Sequence, residues 1–247
     1  SSHAGDYDRY ASVQKRVVDL LSRKLSVFAG NDGVLLDVGT GTGALVAEIL
    51  RPDKGQSLVV MDIAHGMTLE AVNRMPAVLA CDGDARSLPF ANDKFSTVVS
   101  SSVYQWVACL PSAFSEVGRV LKPGGLFALA LFGEKTLCEL RASHRQATIE
   151  NSGSRTSHVQ SFPTLDEVST ALGLAGWSCI DQVSVMEVEY HADVPELLRR
   201  LKQIGASNAA ADRPRGLASR RVMQAMMKIY EEEHRCHTGV PASYEVI

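Results

Sequence analysis

The sequence predicts an α/β fold on a mostly parallel sheet, with helical insertions in its C-terminal half. Three observations predict it. Short apolar runs of strand length alternate with segments of helical period through the first half of the chain, the pattern of βαβ units. The first run enters a glycine cluster, Gly39-Thr40-Gly41-Thr42-Gly43, which permits a tight strand-to-helix turn. The composition is that of a globular chain able to bury a core without disulfides: 247 residues, 45% hydrophobic and 21% charged.

Taken in order, Val13, Val17, Leu20, Leu21 and Leu25 recur at helical spacing and predict a helix over 7–25. Val34-Leu35-Leu36-Asp37-Val38 is a buried strand feeding the glycine cluster, with a helix over 44–50. Leu58-Val59-Val60-Met61-Asp62 is a second strand, followed by a helix after Gly66. Further strands are expected over 77–81, 95–101 and 126–132, with a helix over 111–121 between the last two. Strands alternating with helices imply right-handed crossovers. Beyond Gly133, residues 134–150 read as helical, 151–161 as a polar loop, 163–174 as helical and 177–190 as one long strand. Residues 193–235 read as two helices broken near Asp212-Arg213-Pro214-Arg215-Gly216. Residues 1–133 are expected to form a nucleotide-binding core with its N-terminal helix. Residues 134–247 should complete the sheet and carry the inserted helices within the same domain.

Several classes of protein are disfavoured. A net charge of −3 implies no particular partner. The five cysteines are scattered and odd in number, with no CxxC pair, which favours a reducing compartment over a disulfide framework. No apolar run reaches the roughly 18 to 20 residues needed to span a bilayer, and no secretion signal is visible. The expectation is a cytoplasmic protein. The sequence carries no H-E-x-x-H, G-x-S-x-G or paired Cys/His set. His234-Arg235-Cys236-His237, beside Glu231, Glu232 and Glu233, reads as a solvated helix end, so no metal is expected.

The glycine loop alone is ambiguous, because Gly39, Gly41 and Ala44 also satisfy the G-x-G-x-x-G/A pattern of nicotinamide enzymes. Asp62, 19 positions after Gly43, stands where an acid bonds ribose hydroxyls in either case. Asp37 discriminates between them. A carboxylate just before the loop suits an ammonium group and opposes a pyrophosphate. Gly83-Asp84-Ala85-Arg86-Ser87-Leu88-Pro89-Phe90 and Leu121-Lys122-Pro123-Gly124-Gly125 follow.

On these motifs residues 7–133 resemble the class I S-adenosylmethionine-dependent methyltransferases. The resemblance implies a Rossmann-like sheet, mostly parallel with an antiparallel last strand, and S-adenosyl-L-methionine as cofactor. It implies that Asp37, Gly39, Gly41 and Gly43 hold the methionine end, Asp62 the ribose, and Asp84 with Ala85 the adenine. Ile63, Met67 and Ser100 complete the candidate cofactor contacts.

Further segments resemble one subfamily, the malonyl-[acyl-carrier-protein] O-methyltransferases of biotin synthesis. Tyr7-Asp8-Arg9-Tyr10-Ala11-Ser12-Val13-Gln14 is similar to its cofactor-capping first helix. Ser102-Val103-Tyr104-Gln105-Trp106 is similar to its N-x-x-x-Q-W segment, with Ser102 in place of Asn. Ser161-Phe162-Pro163, Leu201-Lys202-Gln203-Ile204-Gly205-Ala206 and the stretch 239–247 resemble later segments. Tyr7, Gln105, Trp106, Phe162 and Lys202 are the implied substrate contacts. The implied substrate is a malonyl thioester, carried by acyl carrier protein or coenzyme A, whose free carboxylate is methylated. That carboxylate is already ionised at neutral pH, since ordinary carboxyl pKa values lie near 4. No general base is required, and no catalytic residue beyond positioning groups is expected.

Residues 199–221 hold seven positive charges, Arg199, Arg200, Lys202, Arg213, Arg215, Arg220 and Arg221, against the single acid Asp212. This asymmetry predicts a docking face for an acidic carrier protein. Nucleic acid fits less well, because the stretch lacks interleaved aromatics for base stacking. Three other readings stay open at this point: another small-molecule carboxyl or C-methyltransferase, an NAD-dependent oxidoreductase, and a non-catalytic cofactor-binding module.

Overall fold

The computed structural model describes residues 11–27, 33–49, 57–152, 161–204 and 220–247. Two compact units emerge: Ser1–Leu131 with Leu165–Gln182, and Phe132–Thr164 with Val183–Ile247. The first begins with helix α1 (Ser12–Val27), whose buried face is Val13, Val17 and Leu21. These are the positions set by helical periodicity. The predicted start of that helix, including Tyr7, lies outside the described residues.

Strands β1 (Val34–Val38), β2 (Ser57–Asp62), β3 (Leu79–Asp82), β4 (Phe95–Ser101) and β5 (Leu121–Ala130) form one sheet in the order β3-β2-β1-β4-β5. All four pairings are parallel. Helices α2 (Ala44–Ile49), α3 (His65–Arg74) and α4 (Leu110–Val120) lie between strands in sequence. β1 and β4 are almost wholly buried, which is why they read as continuous rather than alternating apolar runs. The order reverses between β1 and β4. In open α/β sheets that switch point, at the carboxyl ends of the strands, is where ligands bind.

β5 starts earlier than the sequence predicts. Leu121 already pairs with Phe95, and the ladder resumes at Leu126 opposite Thr97. Lys122-Pro123-Gly124-Gly125 is thus extruded as a bulge, with Gly124 at φ +76°. The sequence motif marks a disturbance inside the strand rather than a turn before it.

The expected long strand over 177–190 is corrected. Only β6 (Val185–His191) is a strand, because the preceding residues return to the first unit. Helix α6 (Leu165–Leu174; α5 is given below) packs on α4. Trp177 donates its indole N–H to the Phe114 carbonyl at 3.1 Å, and Lys24 pairs with Asp181 at 2.7 Å. Trp177 joins an aromatic cluster with ring centroids 5.3 Å apart to Phe127, 5.7 Å from Phe127 to Phe114, and 5.2 Å from Phe114 to Tyr104.

In the second unit, α5 (Cys138–Ser152) packs against α8 (Arg220–His234), and α7 (Val194–Gln203) against α8 and β6. β7 (Val240–Val246) pairs antiparallel with β6 along its whole length. The antiparallel last strand is thus realised in a two-stranded sheet of its own, to which Phe132 adds one antiparallel bridge at Val246. The Glu245 side chain is 3% exposed and accepts from the Lys135 amide at 3.0 Å and the Ser184 hydroxyl at 2.7 Å. Tyr230 donates to the Pro241 carbonyl at 2.6 Å. Among the described residues no helix is long and apolar enough to cross a membrane.

Phe114 is fully buried at the centre of the aromatic cluster. Phe114→Ala should therefore destabilise the fold by about 3–5 kcal/mol, measured by urea unfolding. A loss below about 1 kcal/mol would show that the cluster is not a unit of the core.

Candidate functional site

The glycine loop leaves β1 at Val38 and turns into α2. Gly39 and Thr40 donate their amides to the Met61 carbonyl at 2.7 and 2.9 Å, fixing the loop to the end of β2. Gly39 has φ +71°, and a Cβ there would come within 2.2 Å of Val103 Cγ2. No side chain fits at this position. Gly41 has φ +55° and nothing within 4 Å of a built Cβ. The backbone is bare on that side, the condition for close approach by a ligand.

Asp62 ends β2 and braces this loop with both oxygens. Its Oδ2 accepts from the Gly41 amide at 2.9 Å and its Oδ1 from the Ala64 amide at 2.8 Å. One carboxylate thus spans the loop after β1 and the turn into α3. Ile63 follows it, 72% exposed, an apolar side chain displayed beside the loop's acid. Met67 lies half-buried in the first turn of α3.

Asp37 precedes the loop and is 1% exposed. Its Oδ2 has no hydrogen-bond partner among the described residues, nor has the Thr40 hydroxyl. Burial, with a smaller contribution from the charge of Asp62, pushes its carboxyl up to about 7, while the proximity of the Thr40 hydroxyl works the other way. An uncompensated buried carboxylate is costly, and a cation would relieve it. A pyrophosphate would aggravate it.

The turn after β3 places Asp84 and Ala85, both half-buried. Asp84 is held by Arg86, which donates from its backbone amide at 2.9 Å, from Nε at 3.0 Å and from Nη2 at 2.6 Å. That pairing holds the Asp84 carboxyl below the usual carboxylate range. Ser100 is fully buried and donates to the Val38 carbonyl at 2.8 Å. It locks β4 to the strand that carries the loop.

After β4 the chain makes a 3-10 turn, Tyr104–Trp106. Val103 closes on Gly39 from this side. Ser102 has φ +60°, a left-handed conformation in which Asn is several-fold enriched. Gln105 donates Nε2 to the Ser102 carbonyl at 2.8 Å, and its Oε1 and the Ser102 hydroxyl are buried without partners among the described residues. Trp106 is 37% exposed.

The first unit therefore assembles Asp37, Gly39, Gly41, Gly43, Asp62, Ile63, Met67 and Ser100 around the carboxyl ends of β1, β2 and β4, with Asp84 and Ala85 following β3 and Gln105 and Trp106 following β4. Phe162 and Lys202 belong to the second unit, half-buried and exposed respectively. Tyr7, Arg213 and Arg215 lie outside the described residues. Sequence reasoning missed Thr40, Arg86 and Val103. For Arg86 a signal existed, a cation two residues after the acid it grips. For Thr40 and Val103 nothing local announces the burial or the contact, whereas Ser102 is marked by standing in place of Asn, the residue its left-handed angle favours.

Comparison with known proteins follows the same lines. Residues 36–129 match a family model described as a methyltransferase domain. The chain is 42% identical to a malonyl-[acyl-carrier protein] O-methyltransferase of Geobacter sulfurreducens, over 99% of this chain and 92% of that protein. It is 35% identical to a biotin biosynthesis bifunctional protein of Teredinibacter turnerae, over 100% of this chain but 44% of that protein. Among solved structures, the YcgJ protein of Bacillus subtilis superimposes with a TM-score of 0.62 at 17% identity, over 94% of this chain and 95% of that one. That likeness is one of fold.

The state of Asp37 has a measurable consequence. The folded chain keeps a proton there that the unfolded chain releases near pH 4. This contribution to stability is fully present below pH 4 and is lost as pH rises through about 7. Its slope approaches about 1.4 kcal/mol per pH unit between pH 5 and 6. Without ligand, Asp37→Asn should flatten the pH dependence of urea-unfolding stability by that amount in this window. Equal slopes in variant and parent would show that Asp37 ionises normally.

Proposed function

The chain belongs to the malonyl-[acyl-carrier-protein] O-methyltransferases, and from that membership and the geometry of its loop we infer that it transfers the methyl group of S-adenosyl-L-methionine to the free carboxylate of a malonyl thioester. The observation that carries the cofactor assignment is the buried Oδ2 of Asp37, without a partner among the described residues, beside an open glycine loop. A methionine ammonium is the complement such a carboxylate needs. The reaction serves biotin synthesis, and acyl carrier protein is the thioester's handle.

Bound there, the cofactor would supply a sulfonium methyl, to whose carbon a carboxylate oxygen bonds as the C–S bond breaks and its electron pair stays on sulfur. No proton moves in this step, so no acid or base is asked of the chain. Its residues position and exclude water. Asp37 takes the ammonium and ionises as it does so. Gly39, Gly41 and Gly43 admit the methionine end to the backbone. Asp62 meets the ribose hydroxyls while keeping the loop braced. Ile63 and Met67 give the adenine an apolar surface, and Asp84 with Ala85 meets its polar edge. Gln105 and Trp106, on the turn that closes over Gly39, take the substrate side. A cytoplasmic location agrees with five cysteines that are all free thiols.

Two measurements test this reading. Incubation with S-adenosyl-L-methionine and malonyl carrier protein should yield the mass of one methyl ester on the malonyl group. A carrier protein recovered unchanged, from enzyme shown to bind the cofactor, would overturn the substrate assignment. Asp62→Ala should weaken cofactor binding by roughly 10- to 100-fold, from loss of a charge-assisted contact worth about 1.5–3 kcal/mol. Asp62→Asn retains one brace for the loop and separates this loss from a folding defect. Unchanged affinity in folded Asp62→Ala would remove the residue from the site.

A further inference from the structure

One helix of the second unit carries its charges against its own dipole. Helix α8 opens with Arg220 and Arg221, has no acid in its first turn, and closes on Glu231, Glu232 and Glu233. A helix dipole favours the opposite order, acids at the start and bases at the end. The acids are accounted for inside the fold. Glu231 pairs with Arg235 and accepts from the Val194 amide at 3.2 Å, and Glu232 lies 3.7 Å from Lys228. The two arginines are not. Both are exposed, and no carboxylate among the described residues pairs with them.

Helix α7 presents a matching face. It buries Val194, Leu197 and Leu201, which turns Pro195, Arg199 and Lys202 outward at i, i+4 and i+7. Arg199 and Lys202 are exposed and have no acidic partner among the described residues, whereas Arg200 is taken by Glu196 at 3.5 Å. The start of α7 is tied to the end of α8, since Arg235 also donates to the Ala192 carbonyl at 2.8 Å. Lys202 and Arg220 lie at the ends remote from that junction, about 12 and 21 Å along their respective helices at 1.5 Å per residue.

We propose that Arg199 and Lys202 on the outer face of α7, with Arg220 and Arg221 at the start of α8, form a docking surface for the acidic helical surface of acyl carrier protein. The proposal rests on the methyl-transfer reading above. Cations without acidic partners among the described residues, in a chain of net charge −3, and at the start of α8 set against a helix dipole, serve a partner of opposite sign. Such a surface steers encounter and register. It has no hold on a small thioester without the protein handle.

The test compares malonyl carrier protein with malonyl-N-acetylcysteamine, whose handle is small and uncharged. In the variant Arg199→Glu/Arg220→Glu/Arg221→Glu, KM for the carrier protein should rise about tenfold or more while both parameters for the small thioester stay at parent values. In the parent, kcat/KM on the carrier protein should fall as salt shortens the Debye length from about 10 Å at 0.1 M toward about 3 Å at 1 M. Turnover of the small thioester should be little affected. If the triple variant fails to fold, the salt series and the milder Arg220→Gln/Arg221→Gln variant carry the same comparison. Equal losses on both substrates, or none on either, overturn the docking surface. A parent enzyme that methylates neither substrate overturns the functional reading itself, whatever the charge variants do.

Discussion

The ligand cradle depends on one carboxylate with two backbone partners. Asp62 receives the amides of Gly41 and Ala64, and so fixes the spacing between the loop that leaves β1 and the turn that leaves β2. Gly39 and Thr40 bind the same strand end through the Met61 carbonyl. Val103 then closes on the face of Gly39. With these contacts in place the loop is not free to adapt to its ligand. Its shape is set by the sheet, and Gly41 keeps an open side.

Within that rigid frame Asp37 is the selective element. The same glycine spacing serves enzymes that bind pyrophosphates, where backbone amides and a helix N-terminus welcome negative charge. A buried acid immediately before the loop reverses the preference. Left alone it is held near neutrality by desolvation, and a cationic ligand converts that cost into affinity. On the reading proposed above, one side chain separates two cofactor classes that share a loop.

Much of this was legible in the sequence because its causes are local. Helical periodicity located the buried face of α1, apolar runs located β1, β2 and β4, and the glycines with Asp37 and Asp62 marked the cradle. What could not be read depends on distant partners. The stretch from Trp177 to Gln182 alternates well enough to suggest a strand, but the Phe114 carbonyl and Lys24 hold it elsewhere. The left-handed turn at Ser102 exists because β4 must deliver Val103 onto Gly39, and serine by itself announces no such angle. The glycines of the Lys122–Gly125 segment signalled an interruption, yet only the register across β4 shows that the strand runs through it.

The first unit is discontinuous in the chain, taking Leu165–Gln182 back after an intervening segment of the second. During synthesis all five parallel strands emerge before Trp177 does. Phe127 must wait for the ring that packs on it while the next 50 residues are made, about 2–10 s at 5–20 residues per second. For that interval the nascent sheet carries an uncovered aromatic surface. The order of the chain, more than the stability of the finished fold, sets when this protein is most exposed to aggregation.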